Sequence, residues 1–539
     1  MGRTTNLSEL AEHDYLKERS LITGQSKRVG PLRRTRTKKS CTNADTCIES
    51  EHGIGRSWNV STQRLANLSV FYVVRNLRLP QVLRRLHLLQ GTSAADLDDE
   101  VFFSRAQISS ESGFTAYQRP DLQQVQVEAL MALYFMVSMQ MTRAWKISGI
   151  AARSAMELKI NEKLPGLKLD HASQEARSRL WWSIYMLESL LSRMIAKPTC
   201  IDSGACSIDQ PVPFQEDMFS GLDAAEILKN NDLRRRRLKW SLDDHDGEEE
   251  AQVDWLGEIK PNQGLYFYHL IDLVHIVQGF TYEFAILIRL QESQRYIAQR
   301  ITFYNRKLDY WLYRLHPAFQ FIDDVDACFP EHPSLERTSL GMHYYSARIT
   351  LYQQASLSHS HGSSDRPIHN YISQRCLDAA FSLISIYPDT VDMDWIYNAS
   401  PWWLNLYFIM QAATIFIKAQ KNFENNRSKM DSKAFHDINR IRIQNARFKV
   451  YRWLQSLSGV NELYRRAFLL YDNMCHHVGL FNSSIVAPEI SFTSQDHVTC
   501  TSYMTLPEHQ AAIAASQYHF ASFTDQNNAG PPFFEFDRV

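Results

Sequence analysis

The chain is poor in residues that break helices. Its 539 residues include only 20 glycines and 18 prolines, and from about residue 61 to 480 these fall mostly between long stretches at helical spacing. Alternating runs of the kind that form half-buried strands are missing, which argues against a sheet protein. The eight cysteines, at 41, 47, 200, 206, 328, 376, 475 and 500, are too scattered for a disulfide framework and point to a reducing compartment. The formal net charge is −1, so any electrostatic partner must be met by local segregation of charge. The apolar window "NLYFIMQAATIFI" (405–417) is interrupted by polar residues and falls short of the roughly 18–20 apolar residues that span a bilayer. The N-terminus "MGRTTNLSEL" has no apolar signal core. A soluble, intracellular chain with no membrane partner is expected.

Motifs of common chemistry are missing as well. There is no Walker loop, dinucleotide-binding glycine fingerprint or nucleophile elbow; "GIG" at 53–55 lacks the third glycine. His359, His361, Asp365 and His369 are the nearest approach to a metal cluster, but their Ser- and Gly-rich surroundings favour a solvated loop. Acid pairs such as Glu157 and Glu162 fit a helix's solvent face better than a general acid and base. The expectation is no enzyme, no catalytic residue, no metal and no cofactor.

What is present divides the chain in three. Residues 1–60 are polar and charged with little apolar periodicity, the composition of a disordered tail. Lys27, Arg28, Arg33, Arg34, Arg36, Lys38 and Lys39 place seven bases in thirteen positions without an acid. Such a run suits nuclear import, or phosphate contacts that read no bases. The segment 481–539 holds six acids, one base and nine aromatics, a composition shared by activation segments and by ordinary disordered termini.

Between the tails an all-α fold is expected, a large multi-helix domain over 61–480. Val125, Ala129, Leu133 and Val137 share one helical face, with Pro120 and Asp121 as start signals. Residues 143–160 supply a second helix, in which Gly149 and small neighbours allow close approach. Residues 173–196 supply a third, capped by Ser173, with one of Trp181 and Trp182 in the core and the other at a helix contact. The blocks "RRRRLK" (234–239) and "DDHDGEEE" (243–250) read as a solvated, mobile loop over 220–260. Helical spacing resumes near Leu265, through 339–357, 374–387, 402–420 and 437–480.

The order of these features resembles the middle homology domain of fungal zinc-cluster transcription factors. The resemblance rests on Val125-Gln126, Ala144-Trp145, the small residues around Gly149, then Arg177, Arg179, Leu180, Trp182 and Tyr185, followed by Pro198, Ile201 and "PVP" at 211–213. It is good over 120–215 and loose over 260–480. The chain has Glu188 where the family usually has Asp, and Ala196-Lys197-Pro198 where the family has Gly-Arg-Pro. The resemblance implies a nuclear, all-α regulatory domain controlling catabolic or secondary-metabolite genes. It leaves Trp145, Gly149, Arg177, Arg179, Trp182 and Pro198 as motif positions.

The family's DNA reader holds two zinc ions with six cysteine thiolates. Only Cys41 and Cys47 precede Cys200 here, and two thiolates cannot make that cluster; adding His52 gives three ligands at an odd spacing. DNA contact is therefore expected to be weak or through a partner, such as a zinc-cluster factor or the transcription machinery. A missing upstream exon would explain the same absence. A small-molecule effector and a homodimer stay open, as does a helical scaffold outside transcription.

Overall fold

Helical spacing becomes helix where a side chain satisfies the first free backbone N–H groups. In the computed structural model, Asp121 caps α1 (Leu122–Val137) by accepting from the Gln124 N–H at 2.8 Å. Asp170 caps α3 (His171–Met194) through the Ser173 N–H at 3.4 Å; Ser173 is thus the donor and not the cap that the sequence suggested. Between them lies α2 (Met141–Glu157). The structure describes residues 120–163, 170–202, 204, 206–243, 255–322, 334–358, 366–425, 433–460 and 462–477. All of these fall in the unit Gln63–Val539; the other unit, Met1–Thr62, lies outside the described residues. Among the described residues all regular structure is helical, and no strand occurs.

Small residues decide how the first three helices pack. Ala144, Ser148, Ala151, Ala152 and Ala155 on α2 are all buried, so its backbone can approach α1 and α3 closely, and both contacts form. The third helix goes beyond the expectation that one of Trp181 and Trp182 would lie in the core and the other at a helix contact. From Ser178 to Ser192 it is buried on every face, Trp181 and Trp182 included. An apolar segment without a solvent face belongs in the interior, and α3 is also packed by α6 (Gln263–Leu290).

The charged segment corrects the sequence reading. Where a mobile loop was expected over 220–260, α4 (Leu222–Lys229) and α5 (Asn231–Arg237) form instead. Asn230 caps α5 by accepting from the Asp232 and Leu233 N–H groups, and Leu238 and Trp240 are buried beyond it. Alternation of a few apolar anchors with arginines had been masked by the density of charge. Residues 244–254 lie outside the described residues.

The remaining helices are α7 (Gln294–Tyr313), α8 (Leu335–Ser358), α9 (Arg366–Ser385), α10 (Met393–Ala399), α11 (Asn405–Asn425), α12 (Lys433–Leu457) and α13 (Glu462–His477). In α7 the buried Ile297, Ile301, Tyr304, Leu308 and Trp311 recur every three or four residues, the amphipathic pattern in its plain form. In sequence order α6 packs on α7 and α8, α8 on α9, α9 on α11, and α11 on α12 and α13. Helix α6 is long and apolar enough to cross a membrane by composition alone, but it is mostly buried in protein and carries the buried, ion-paired Asp272.

Among the core side chains is the His269 imidazole of α6, edge-on to Trp311 and Phe319. Its Nε2 makes no hydrogen bond. Burial, and after it Arg314 and His316, pull its pKa down to about 3. His343 of α8 is held down to about 3 as well, by burial and then by Arg193. Unfolded imidazoles protonate near pH 6.5, while the folded ones refuse the proton. Stability is therefore complete above pH 6.5 and falls as pH drops from there toward 3, by about 1.4 kcal/mol per unit for each group. Urea unfolding between pH 7 and 5 is expected to show this decline, and His269→Phe should flatten it by about 1.4 kcal/mol per unit; an unchanged slope would remove His269 from the account.

Candidate functional site

Five of the six motif positions gather around α3, and the strap that follows it (residues 199–214) explains their spacing. Glu175, fully buried on the first turns of α3, is the anchor. Its carboxylate accepts from Arg179 Nε at 2.8 Å, from Arg234 Nη2 at 2.6 Å and from the Val212 backbone N–H at 2.9 Å. Arg179 reaches on to the carbonyls of Val212 and Phe214 and lies over the Phe219 ring at 4.9 Å. Arg234 donates to the Gln210 carbonyl. One carboxylate and two guanidiniums thus seize both sides of Pro211-Val212-Pro213, whose prolines offer no N–H of their own. Breaking such a buried pair strands a charge, which costs more than an exposed pair contributes.

The same face of α3 holds the earlier part of the strap. Trp182 Nε1 donates to the Asp209 carbonyl at 2.9 Å and Ser178 Oγ at 2.6 Å, while Trp181 Nε1 points to Cys206 Sγ at 2.9 Å. The Trp182 ring meets Trp240 edge-on at 5.0 Å, and Trp240 stacks on Tyr268 of α6 at 5.5 Å. From the other side, Asn262 Nδ2 donates to the Pro213 carbonyl at 3.1 Å. A Cβ on Gly264 would stand 2.3 Å from the Phe214 carbonyl oxygen, so the close approach of strap and α6 requires that glycine.

Arg177 does a separate task. Its Nη2 donates to the carbonyls of Leu158 and Lys159, at 3.1 and 3.2 Å, at the open end of α2; burial pulls its guanidinium below its ordinary value. Glu188, also buried, accepts from Ser148 Oγ of α2 and from the Cys200 N–H at 3.1 Å. Burial, and after it the Glu188 carboxylate, push the Cys200 thiol up to about 12; burial pushes Cys206 up to about 11. Both are protonated at neutral pH and are poor nucleophiles and poor metal ligands. Gly149 lies beside Cys200, whose Sγ a Cβ there would meet at 3.9 Å. Trp145 alone stands apart: it is half-buried against the core, and its Nε1 makes no hydrogen bond.

Pro198 is exposed just past the end of α3. There Ala196 has φ 52°, with its N–H on the Arg193 carbonyl and the Lys197 N–H on the Ser192 carbonyl. This is the reversed end that glycine usually supplies. Alanine stands where the resembled family has glycine, and the turn survives with a left-handed alanine.

A second buried ion pair secures the chain after α5. Asp272 of α6 accepts from the Ser241 N–H and Oγ, both at 2.7 Å, and Arg314 Nη1 lies 3.6 Å away. Arg314 also donates to the Lys239 carbonyl at 3.1 Å and to Ser241 Oγ at 3.0 Å. Burial raises the Asp272 pKa, and these donors oppose the rise. Sequence reasoning missed Glu175, Arg234, Asp272 and Arg314. The i,i+4 spacing of Glu175 and Arg179 on a largely apolar helix was the one local signal available; the others pair over 31 to 75 residues.

No group of three or more metal-ligating side chains occurs among the described residues. His369 is exposed; His359, His361 and Asp365 lie outside the described residues. So do Lys27, Arg28, Arg33, Arg34, Arg36, Lys38, Lys39, Cys41, Cys47, His52 and the segment 481–539.

Comparison with known proteins bears on this same region. The fungal specific transcription factor domain matches residues 84–313, which contain α1 to α7 and the whole strap. A transcription regulator of Aspergillus niger, galc, is 31% identical over 406 residues, 70% of this chain and 49% of that protein. Activator of stress genes protein 1 of Candida albicans is 22% identical over 57% of this chain and 30% of its own length. Transcription factor FBD3 of Fusarium pseudograminearum is 34% identical over 19% of this chain and 13% of its own. The chain thus spans about half the length of the Aspergillus regulator, and less of the others. No solved structure matches it.

Three substitutions test the clamp and the turn. Arg234→Met leaves Glu175 with a single guanidinium and is expected to cost about 3 kcal/mol in urea unfolding, and Glu175→Met, which strands two cations, at least as much. Ala196→Gly relieves the left-handed alanine and should stabilise the chain by about 0.5–1 kcal/mol, whereas glycine elsewhere in a helix end destabilises.

Proposed function

Because residues 84–313 carry the fungal specific transcription factor domain, we propose that this protein is a nuclear regulator of transcription that governs fungal metabolic genes, of catabolism or of secondary metabolism. The observation that carries the reading is the 31% identity to a named transcription regulator along 70% of this chain, well past the end of the domain. The clamp supports it in physical terms. Its buried charges fit in one well-paired arrangement and poorly in any intermediate, which favours discrete packings over gradual deformation.

In this reading Lys27 to Lys39 form the import signal and add weak, salt-sensitive contacts to phosphates. Cys41 and Cys47 alone cannot make the six-thiolate cluster, so base reading is assigned either to a partner of the zinc-cluster class or to a cluster encoded upstream of this sequence. The acidic, aromatic segment 481–539 docks in an apolar groove of the transcription machinery.

A fluorescently tagged full chain is expected in the nucleus, and deletion of the gene should change a coherent set of metabolic transcripts. Replacing Lys27, Arg28, Arg33, Arg34, Arg36, Lys38 and Lys39 by glutamine should shift the protein to the cytoplasm and reproduce the deletion profile. Cytoplasmic residence of the unaltered protein with unchanged transcripts would instead favour a scaffold outside transcription and defeat the regulator reading.

A further inference from the structure

The last two helices leave an apolar strip in water. Of the thirteen large apolar side chains exposed among the described residues, four lie on the α12–α13 hairpin: Ile441, Phe448, Val460 and Leu469, at 55, 51, 42 and 45% of full exposure. Ile441, Gln444, Phe448 and Gln455 recur at intervals of three, four and seven residues, which puts them on one face of α12, and all four are exposed. The opposite face is the core side, where Val450, Trp453 and Leu457 are buried. Tyr451 of α12 and Phe468 of α13 meet edge-on between the two helices at 5.2 Å, and both are half-buried. Phe448, three residues before Tyr451, and Leu469, next to Phe468, stand out beside that contact. Apolar groups gathered in this way mark a contact surface, whereas single ones need no explanation.

The surroundings of the strip are basic. Residues 440–477 carry seven Lys or Arg against two acids. Of the seven, Arg447 is buried and Lys449 is paired with Asp389 at 2.8 Å; the other five are exposed or half-buried. Arg452 lies over the Phe448 ring at 5.1 Å and Arg442 over Phe381 at 4.0 Å, so guanidiniums border the apolar groups. A cover that fits such a strip brings apolar side chains interleaved with acids.

The chain supplies that composition itself. Residues 478–539 begin where α13 ends at His477, and they hold nine aromatics and six acids against one base. Their densest run is Phe533-Phe534-Glu535-Phe536-Asp537, three aromatics and two acids in five positions. We propose that this run docks on the outer face of the α12–α13 hairpin, its phenylalanines against Ile441, Phe448 and Leu469 and its two carboxylates against the bordering guanidiniums. Residues 478–532 tether the run to the end of α13, which makes the encounter intramolecular, and a contact too weak to hold a free peptide then suffices. Opposite charge steers the approach, and burial of aromatic area holds the contact. The proposal does not rest on the regulator reading, and any partner that takes segment 481–539 does so by displacing it from this face.

The test is photo-crosslinking of the purified full chain with p-benzoylphenylalanine in place of Phe534. Irradiation should join residue 534 to peptides from residues 440–476 in a product of monomer mass, at a yield that does not change on dilution. Phe448→Glu combined with Leu469→Glu changes two exposed positions and sets carboxylates against the acids of the run. It should lower the yield about tenfold while circular dichroism shows the helical body intact. High salt should lower the yield as well. A crosslinked product of doubled mass would assign the face to a second copy of the chain. That result, crosslinks to other surfaces or none at all, and a full yield in the double variant would each overturn the proposal.

Discussion

A single carboxylate, Glu175, organises the first half of the described structure. It has no contact with water, and it is tolerable in that position because two guanidiniums and a backbone N–H converge on it. The dependence runs both ways. Arg179 and Arg234 are themselves buried, so the strap, α3 and α5 take their places together or not at all. The packing of Trp182, Trp240 and Tyr268 follows, since Trp240 lies just past α5 and reaches α6. Asp272 with Arg314 repeats the device one turn further along the face of α6 that carries Tyr268. Two buried charge clusters, Glu175 with its two arginines and Asp272 with Arg314, therefore fix a segment that carries too much charge to be fixed by apolar burial.

Helix ends form the second constraint. Met139, Lys159, Ala196 and Gln291 all take left-handed backbone at helix C-termini, positions where glycine is the low-energy choice. At Met139, Lys159 and Ala196 the reversed turn closes by the same pair of backbone hydrogen bonds, and Arg177 adds a side-chain donor to the one after α2. A chain with 20 glycines in 539 residues makes its turns by sharing strain with hydrogen bonds from neighbouring elements.

The all-helical fold was legible because its periodicity is strong: Val125, Ala129 and Leu133 of α1 are buried as their spacing foretold. Periodicity misled in two places. Helix α3 is buried all round: Ser178, Ser192 and Glu188 are interior hydrogen-bonding groups, while the Ser183 and Ser189 hydroxyls are buried without a partner among the described residues. The arginines after Leu233 looked like solvent-exposed charge, yet Arg234 is buried against a carboxylate 59 residues earlier. Local spacing carries no information about a partner at that distance. The resemblance did locate the clamp, since Arg179 and "PVP" were among its motif positions. It could not say that the two touch, nor that Glu175 joins them.

The apolar length of α6 has a consequence for how the chain is made. As it leaves the ribosome, Gln263–Leu290 is 28 residues with the hydropathy of a membrane span, and its Asp272 has not yet met Arg314, which is synthesised later. Its first covering surface is α3, already made and held in place by the strap; α7 and α8 come after. Vectorial synthesis thus gives the N-terminal helices a second part, as the cradle that receives a sticky nascent helix before chaperones or a membrane do. A lesion in the clamp would then show itself first in the yield of soluble protein emerging from translation, before any loss in the performance of molecules that had already matured.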